Sequence, residues 1–193
     1  DYMVGVGAMR TYVSQGNAKQ VKYIFRPTIL LGYRFNNYLS IRYKAYMGGY
    51  APSLAELSNV EQHIDIYQIR RGNPNLQAVR FFSNELSISV GTKYISAEWF
   101  TRYSYDDKPY MEETTYSNGL YVRSYANQRG FHRLNSQINL KIQPWKDCIS
   151  IQLAPFVNRY ISNGNTYTHT HTNWGLRANL MGMYKNWYVG ANL

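Results

Sequence analysis

The sequence predicts an all-β chain: part of an antiparallel, up-and-down transmembrane β-barrel, about nine strands of a larger wall. Three observations carry this reading. Apolar and polar residues alternate one by one, the alternating runs are long enough to cross a bilayer, and the connections between them are sorted into short and long.

The alternation is clearest at Leu39-Ser40-Ile41-Arg42-Tyr43-Lys44-Ala45-Tyr46-Met47, and it returns over 85–91, 95–104, 138–143, 149–156, 174–183 and 187–193. A strand sends successive side chains to opposite faces, so each run has one apolar and one polar face. The apolar set holds Tyr23, Phe25, Ile29 and Leu31, then Ile41 and Tyr43, Leu86 and Ile88, Trp99, Ile138 and Leu140, and Ile151 and Leu153. The opposite set holds Lys22, Arg26, Arg34, Arg42, Lys44, Glu85, Glu98, Arg102, Lys141 and Arg177. No Asp, Glu, Lys or Arg falls on the apolar set of these core runs, as expected where a charge facing lipid at mid-depth costs about 2–4 kcal/mol.

Run length agrees. The stretches from Val21 to Phe35 and from Asn135 to Gln143 reach the roughly 9–11 residues a strand needs to span a bilayer. Short connections are expected at Asn36-Asn37, Lys93-Tyr94, Pro144 to Asp147 and Lys185-Asn186, and long ones at 14–20, 51–78, 106–120 and 162–172. The long ones at 51–78, 106–120 and 162–172 are expected on the extracellular side, following the plan of outer-membrane barrels. Ser53 to Leu57, after Pro52, reads as a single turn within the first of them. Tyr33, Phe35, Tyr38, Tyr94, Trp145, Tyr184 and Trp187 cluster beside the short turns, where a membrane interface favours amphipathic rings.

Composition narrows the function classes. Mean hydropathy is −0.47, and no run approaches the roughly 18–20 apolar residues of a spanning helix. The 20 Tyr against 7 Phe and 4 Trp suit interface girdles and adaptable loops. The net charge of +10 is scattered through alternating strands rather than gathered in a basic tail or stripe, so no nucleic-acid partner is expected. A lone Cys148 permits neither an internal disulfide nor a thiolate cluster. Asp1-Tyr2-Met3-Val4 reads as mid-strand rather than as a signal peptide, and Asn192-Leu193 falls in mid-pattern; an internal fragment is expected.

The 51–78 connection contains Pro52-Ser53-Leu54-Ala55-Glu56-Leu57, then Ile64-Asp65-Ile66-Tyr67, then Gly72-Asn73-Pro74-Asn75-Leu76, followed by a strand carrying Glu85-Leu86. This order resembles the C-terminal barrel of TonB-dependent receptors, within the outer-membrane β-barrel family common in Bacteroidetes-type bacteria. The resemblance covers most of the chain and is clearest between Tyr50 and Gln143. It implies that residues 1–193 belong to one barrel of about 22 strands, with a plug domain absent from this chain. It also implies a bacterial outer-membrane location and uptake of a nutrient: an iron chelate, vitamin, oligosaccharide or peptide. The implied partners are the TonB energy-transducing complex, engaged through the missing N-terminal part, outer-membrane lipids, and a surface lipoprotein. Read from its residues alone, Gly72-Asn73-Pro74 is a structural re-entry into the wall: Gly72 permits positive φ, Pro74 extends Asn73, and Asn73 bonds nearby backbone.

Enzymatic chemistry is not expected. No nucleophile elbow, phosphate-cradling glycine loop or zinc-binding helix motif occurs, and no cofactor is implied. His169 and His171 share a strand face but lack a third ligand nearby, and His63 and His132 read as lone loop histidines. Asp106-Asp107 and Glu112-Glu113 read as a solvated loop surface. Candidate ligand-binding residues are the loop aromatics Tyr110, Tyr116, Tyr121, Tyr160 and Tyr167, whose rings stack on sugars or ring systems, and the inward cations Arg42, Arg102 and Arg177. The inward cations face acidic groups of a plug or each other, or favour anionic ligands through their field. Two other readings fit the alternation: a soluble Tyr-rich β-sandwich acting as an adhesin or lectin-like binding module, and a barrel enzyme with a Ser or Asp and a His at its rim.

Overall fold

The computed structural model describes residues 1–15, 18–145, 148–185 and 187–193. In chain order the elements are β1 (Tyr2–Gln15), β2 (Ala18–Arg34), β3 (Leu39–Tyr50), the single turn α1 (Leu54–Leu57), β4 (Gln62–His63), β5 (Gln68–Arg70), β6 (Val79–Gly91), β7 (Ile95–Asp107), β8 (Tyr110–Ser117), β9 (Leu120–Asn127), β10 (Gly130–Trp145), β11 (Ile149–Asn163), β12 (Thr168–Tyr184) and β13 (Trp187–Asn192). Among the described residues, nine strands form one sheet in the order β1-β2-β3-β6-β7-β10-β11-β12-β13. Every neighbouring pair is antiparallel. The sheet does not close on itself. It is an open section of barrel wall, ending on β1 at one side and β13 at the other.

Register chains the apolar set across the sheet. Tyr33 lies opposite Ile41, Ile41 opposite Ile88, Ile88 opposite Trp99, and Trp99 opposite Ile138. Directly opposed residues share a face, so the apolar positions form one continuous outer surface. That surface is uncovered: Tyr23 is 72% exposed, Trp187 77% and Trp174 82%. A soluble sandwich would bury this face against a second sheet. Among the described residues no second sheet covers this face, which overturns the soluble β-sandwich reading; hydrocarbon is the solvent such a surface suits.

The lower edge of this apolar band, on the side of the short turns, slips steadily. Partners run from Leu39 through Val90, Ala97, Leu140 and Leu153 to Ala178. Leu39 is the first residue of β3, whereas on β12 the same face continues below Ala178 through Leu180 to Tyr184. The edge therefore drops by about one residue per strand, the stagger of a barrel wall. On β12 the band extends from Tyr184 up to Trp174, about 33 Å along the strand at 3.3 Å per residue, or about 25 Å across a membrane at the usual strand tilt.

The connections differ from expectation in three places. Residues 14–20 are not a long connection: β1 continues to Gln15 and β2 begins at Ala18, where Gln15 opposes Ala18. Segment 162–172 is mostly strand, because β11 reaches Asn163 and β12 starts at Thr168. Segment 106–120 is an ordered hairpin, β8 turning into β9 through Asn118 and Gly119 at φ 52° and 81°. Positive φ at both central residues is the two-residue turn that follows strand twist. The expected short connection at Asn36-Asn37 is present, with Asn36 Oδ1 accepting from the backbone N–H of Tyr38 and Leu39. Gly16, Asn17, Lys146, Asp147 and Asn186, which fall in other expected connections, lie outside the described residues.

At the upper end stands a second sheet, β4-β5-β9-β8, in which β5 and β9 run parallel. Ile69 on β5 and Val122 on β9 are buried, as are Leu76 and Val79 where the chain leaves β5 and enters β6. The turn α1 is closed by a capping box. Ser53 Oγ accepts from Glu56 N at 3.4 Å, and Glu56 Oε2 accepts from Ser53 N at 2.7 Å, so two otherwise orphaned amides are satisfied together. Gly72 then threads against this turn, donating to Ser58 O at 2.6 Å while Asn73 N donates to Glu56 O at 2.7 Å. A Cβ at Gly72 would lie 2.5 Å from both carbonyl oxygens. Glycine is needed here for close approach and not for positive φ, which this residue does not adopt. Asn73 bonds backbone as expected, accepting from Asn75 N at 2.9 Å, and its Nδ2 also donates to Tyr125 O at 2.9 Å.

Two outcomes follow. Leu153→Arg, on the outer face near mid-depth, should cost about 2–4 kcal/mol in the equilibrium unfolding of the full-length protein refolded into lipid, whereas Gln152→Arg, facing inward, should change it little. Gly72→Ala should destabilise the upper sheet by about 1–3 kcal/mol through overpacking, read as faster protease cleavage within the β4–β5 and β8–β9 segments with the wall intact.

Candidate functional site

The inner face of the wall mixes polar side chains with Phe100, Phe131 and Phe156, and carries three levels of charge. At the level of the short turns, Arg34, Ser40, Ser89, Glu98, Asn139, Lys141 and Gln152 line a trough of about 690 Å3. Arg42 and Ser87 line the concavity beside it. Glu98 accepts from Ser87 Oγ at 2.7 Å, and among the described residues Arg34, Arg42 and Lys141 form no ion pair with it. At mid-depth, Arg102 pairs with Glu85 at 2.7 Å and lies 5.4 Å over Phe100. Tyr46 Oη donates to the same Glu85 at 3.3 Å, and Lys44 sits 4.6 Å over the Tyr46 ring. Arg177 donates to Gln137 Oε1 at 3.3 Å and lies 5.2 Å over Phe156.

Near the upper end Arg133 grips buried Asp106 through both carboxylate oxygens, at 2.8 and 2.9 Å. Both bonds come from one nitrogen, Nη2, and each is strengthened by the opposite charges of the two groups. Beside them Phe131, Tyr160 and His171 form an aromatic shelf across β10, β11 and β12. Phe131 and Tyr160 rings lie 6.3 Å apart and nearly parallel, and Tyr160 and His171 lie 6.4 Å apart. Asn135 Nδ2 bonds Asn158 Oδ1 at 2.7 Å just below.

Among the described residues, Lys22, Arg26, Arg34, Arg42, Lys44, Lys141 and Arg177 enter no ion pair. Arg26 is held only by the Gly49 carbonyl, at 3.2 Å. The inner face therefore carries a net positive field in a concave, low-dielectric wall, where fields are focused.

The candidate tyrosines fall in different settings. Tyr160 is the centre of the inward shelf. Tyr116 and Tyr121 face each other at 5.1 Å beside the β8–β9 turn, both exposed. Tyr167 stands 70% exposed on the β11–β12 connection, 6.2 Å from His169. Tyr110 is instead packed at the joint between the two sheets, edge-on to Tyr50 at 5.8 Å and Tyr125 at 6.5 Å. Burial, followed by the Glu56 carboxylate that its hydroxyl bonds, pushes the Tyr110 pKa well above the usual phenol value. Arg42, Arg102 and Arg177 all face inward as expected, at the lower and middle levels.

The acidic pairs divide: Asp106 is buried and Glu113 half-buried, against expectation, while Glu112 is exposed as expected. Asp106 is held by Arg133, Glu112 pairs with Arg123 at 3.0 Å and Arg70 at 3.7 Å, and Glu113 accepts from buried Gln128 at 2.6 Å. His132 is a strand residue rather than a loop one, bonded to Tyr103 Oη at 2.9 Å. His63 lies on β4, and His169 and His171 lie on β12. No cluster of three metal-ligating side chains occurs among the described residues. Phe131 and Arg133 escaped the sequence reading, which weighed His171 only as half of a metal pair with His169; the signal was the alternation of Phe131-His132-Arg133-Leu134, which carries β10 above its apolar run.

Since the folded-state pKa of Tyr110 is raised, its proton stabilises the joint fully below pH about 10, and that stability is lost as pH rises further. The protection of β8 and β9 amides, taken relative to exchange of the unfolded chain at each pH, should therefore hold steady up to about pH 10 and fall above it. Tyr110→Phe should be less protected throughout and show a weaker alkaline fall.

The comparisons agree with this architecture. The sequence profile of the outer membrane protein beta-barrel family matches residues 10–192. Among solved structures, the siderophore receptor PirA from Pseudomonas aeruginosa superimposes with a TM-score of 0.59 at 11% sequence identity, covering 99% of this chain and 44% of that receptor. This chain thus spans less than half of that receptor's length. No curated protein matches. A profile match running through all nine wall strands, on a sheet whose outer face only lipid can cover, identifies the chain as a member of the outer membrane protein β-barrel family, located in the outer membrane.

Proposed function

We propose that this chain is part of the barrel wall of a TonB-dependent receptor that imports a scarce nutrient. The observation that carries the reading is the inner face: uncompensated cations at the lower and middle levels, surmounted by an aromatic shelf near the mouth. A wall that only enclosed a static filling would not need a ring-stacking shelf at its entrance. The siderophore receptor whose fold this chain shares supports an iron chelate as cargo, and the inward cations suit an anionic one; vitamins, oligosaccharides and peptides are the other classes. In this reading Tyr116, Tyr121 and Tyr167 meet the cargo outside, Tyr160 stacks on it at the mouth, and Arg177, Arg102 and Arg42 draw it down the wall. Energy comes from the TonB complex, a surface lipoprotein assists capture, and the barrel passes its cargo without chemical change.

The test is uptake of labelled iron chelates, vitamins, oligosaccharides and peptides by cells with and without the full-length gene. One class should enter only with the gene present and only with an intact energy transducer. Arg42→Gln with Arg177→Gln should lower that uptake by about tenfold at unchanged surface abundance. Gene-dependent uptake that continues at full rate after loss of the transducer would exclude the reading.

A further inference from the structure

The outer face carries a second array of cations, separate from the inner one. Arg10, Arg80 and Arg159 all point outward and are exposed. They sit on the apolar side of the alternation, yet above the band that lipid tails require. Strand register places them at one level. Gly5, Thr28, Tyr46 and Ser83 form one row across β1 to β6; Arg10 lies five residues above this row and Arg80 three. Asn84, Tyr103, Leu134 and Arg159 form another, and Arg80 lies four residues above its Asn84. From β1 to β11 the arginines thus descend by about one residue per strand, matching the stagger of the band's lower edge. They mark a belt parallel to the membrane, spaced about 14 Å apart around the wall at three strand widths.

Among the described residues none of the three forms an ion pair. Asp107 lies across from Arg80 without pairing to it, and Arg10 stands 6.0 Å over the Tyr23 ring. The surface below is apolar through Leu134, Val157 and Trp174, so long arginine stems lie along it and guanidinium groups rise at its edge. Guanidinium at that depth matches phosphate in charge and in its two-pronged geometry. We infer that Arg10, Arg80 and Arg159 form a docking belt for the phosphate groups of glycolipid headgroups in the outer leaflet. The inference rests on the second sheet lying outside the cell.

Native mass spectrometry of the full-length protein in detergent tests it with three probes: phosphorylated lipid A, the same glycolipid stripped of phosphate, and inorganic phosphate. The phosphorylated form should be retained at least tenfold more strongly than the stripped form, and added inorganic phosphate at equal concentration should not displace it. The combined Arg10→Gln, Arg80→Gln and Arg159→Gln protein, judged folded by its heat-modifiable gel mobility, should lose that preference. Lys93→Gln with Lys185→Gln, at the opposite edge, should keep it. Equal retention of both glycolipids, displacement by free phosphate, or a preference that survives in the folded triple variant would each overturn the belt. If the triple variant does not fold, the wild type decides: its preference should fall at least tenfold between 50 and about 500 mM salt, since exposed charges are screened, and a preference insensitive to salt overturns the proposal. Lipid retention in detergent does not depend on transport, so this result stands apart from the uptake experiment.

Discussion

Hydrocarbon offers no hydrogen bonds, and that single constraint governs the molecule. Every amide and carbonyl at membrane depth must find its partner in a neighbouring strand. The nine wall strands meet the demand in the simplest way, each beside its sequence neighbour in the wall and antiparallel to it, with no crossing connections. The same constraint bears on β1 and β13, whose outer edges carry rows of unpaired backbone groups.

Once the backbone is tied up this way, side chains divide the labour between two solvents. Outward positions read hydrocarbon and turn cationic only at its upper margin. Inward positions read a polar interior, where Glu85 and Asp106 each fix one arginine while other cations stay unclaimed. The paired arginines are each tied to their carboxylate through one nitrogen, Nη2, by charge-assisted bonds that run between neighbouring strands. The unpaired ones supply a field.

Much of this was legible in the sequence, for a physical reason. A two-residue period under a strong penalty for outward charge leaves one consistent assignment of faces, and Leu39 to Met47 or Ile149 to Leu153 state it plainly. The strands lost legibility where they rise past the membrane. Thr168-His169-Thr170-His171-Thr172 and Glu112-Glu113-Thr114-Thr115 are strand without an apolar face, because water wets both sides there. Ser117-Asn118-Gly119-Leu120 held a turn signal that marks the β8–β9 hairpin. The parallel pairing of β5 with β9 could not be read, since it joins two connections distant in sequence through backbone bonds that carry no side-chain signature. The inner aromatic shelf was likewise hidden, because Phe131, Tyr160 and His171 meet only through register.

The contrast between the two ends of the upper sheet bears on how such a surface diversifies. Around Gly72 and Asn73 the chain is fastened by backbone bonds to α1 and β9, and a single added carbon collides with two carbonyls. At Asn118 and Gly119 the hairpin tip touches nothing that a Cβ at Gly119 would disturb. An insertion at the tip therefore meets no steric obstacle, although positive φ keeps Asn118 and Gly119 themselves selective, whereas the joint to the wall does not admit even a methyl group.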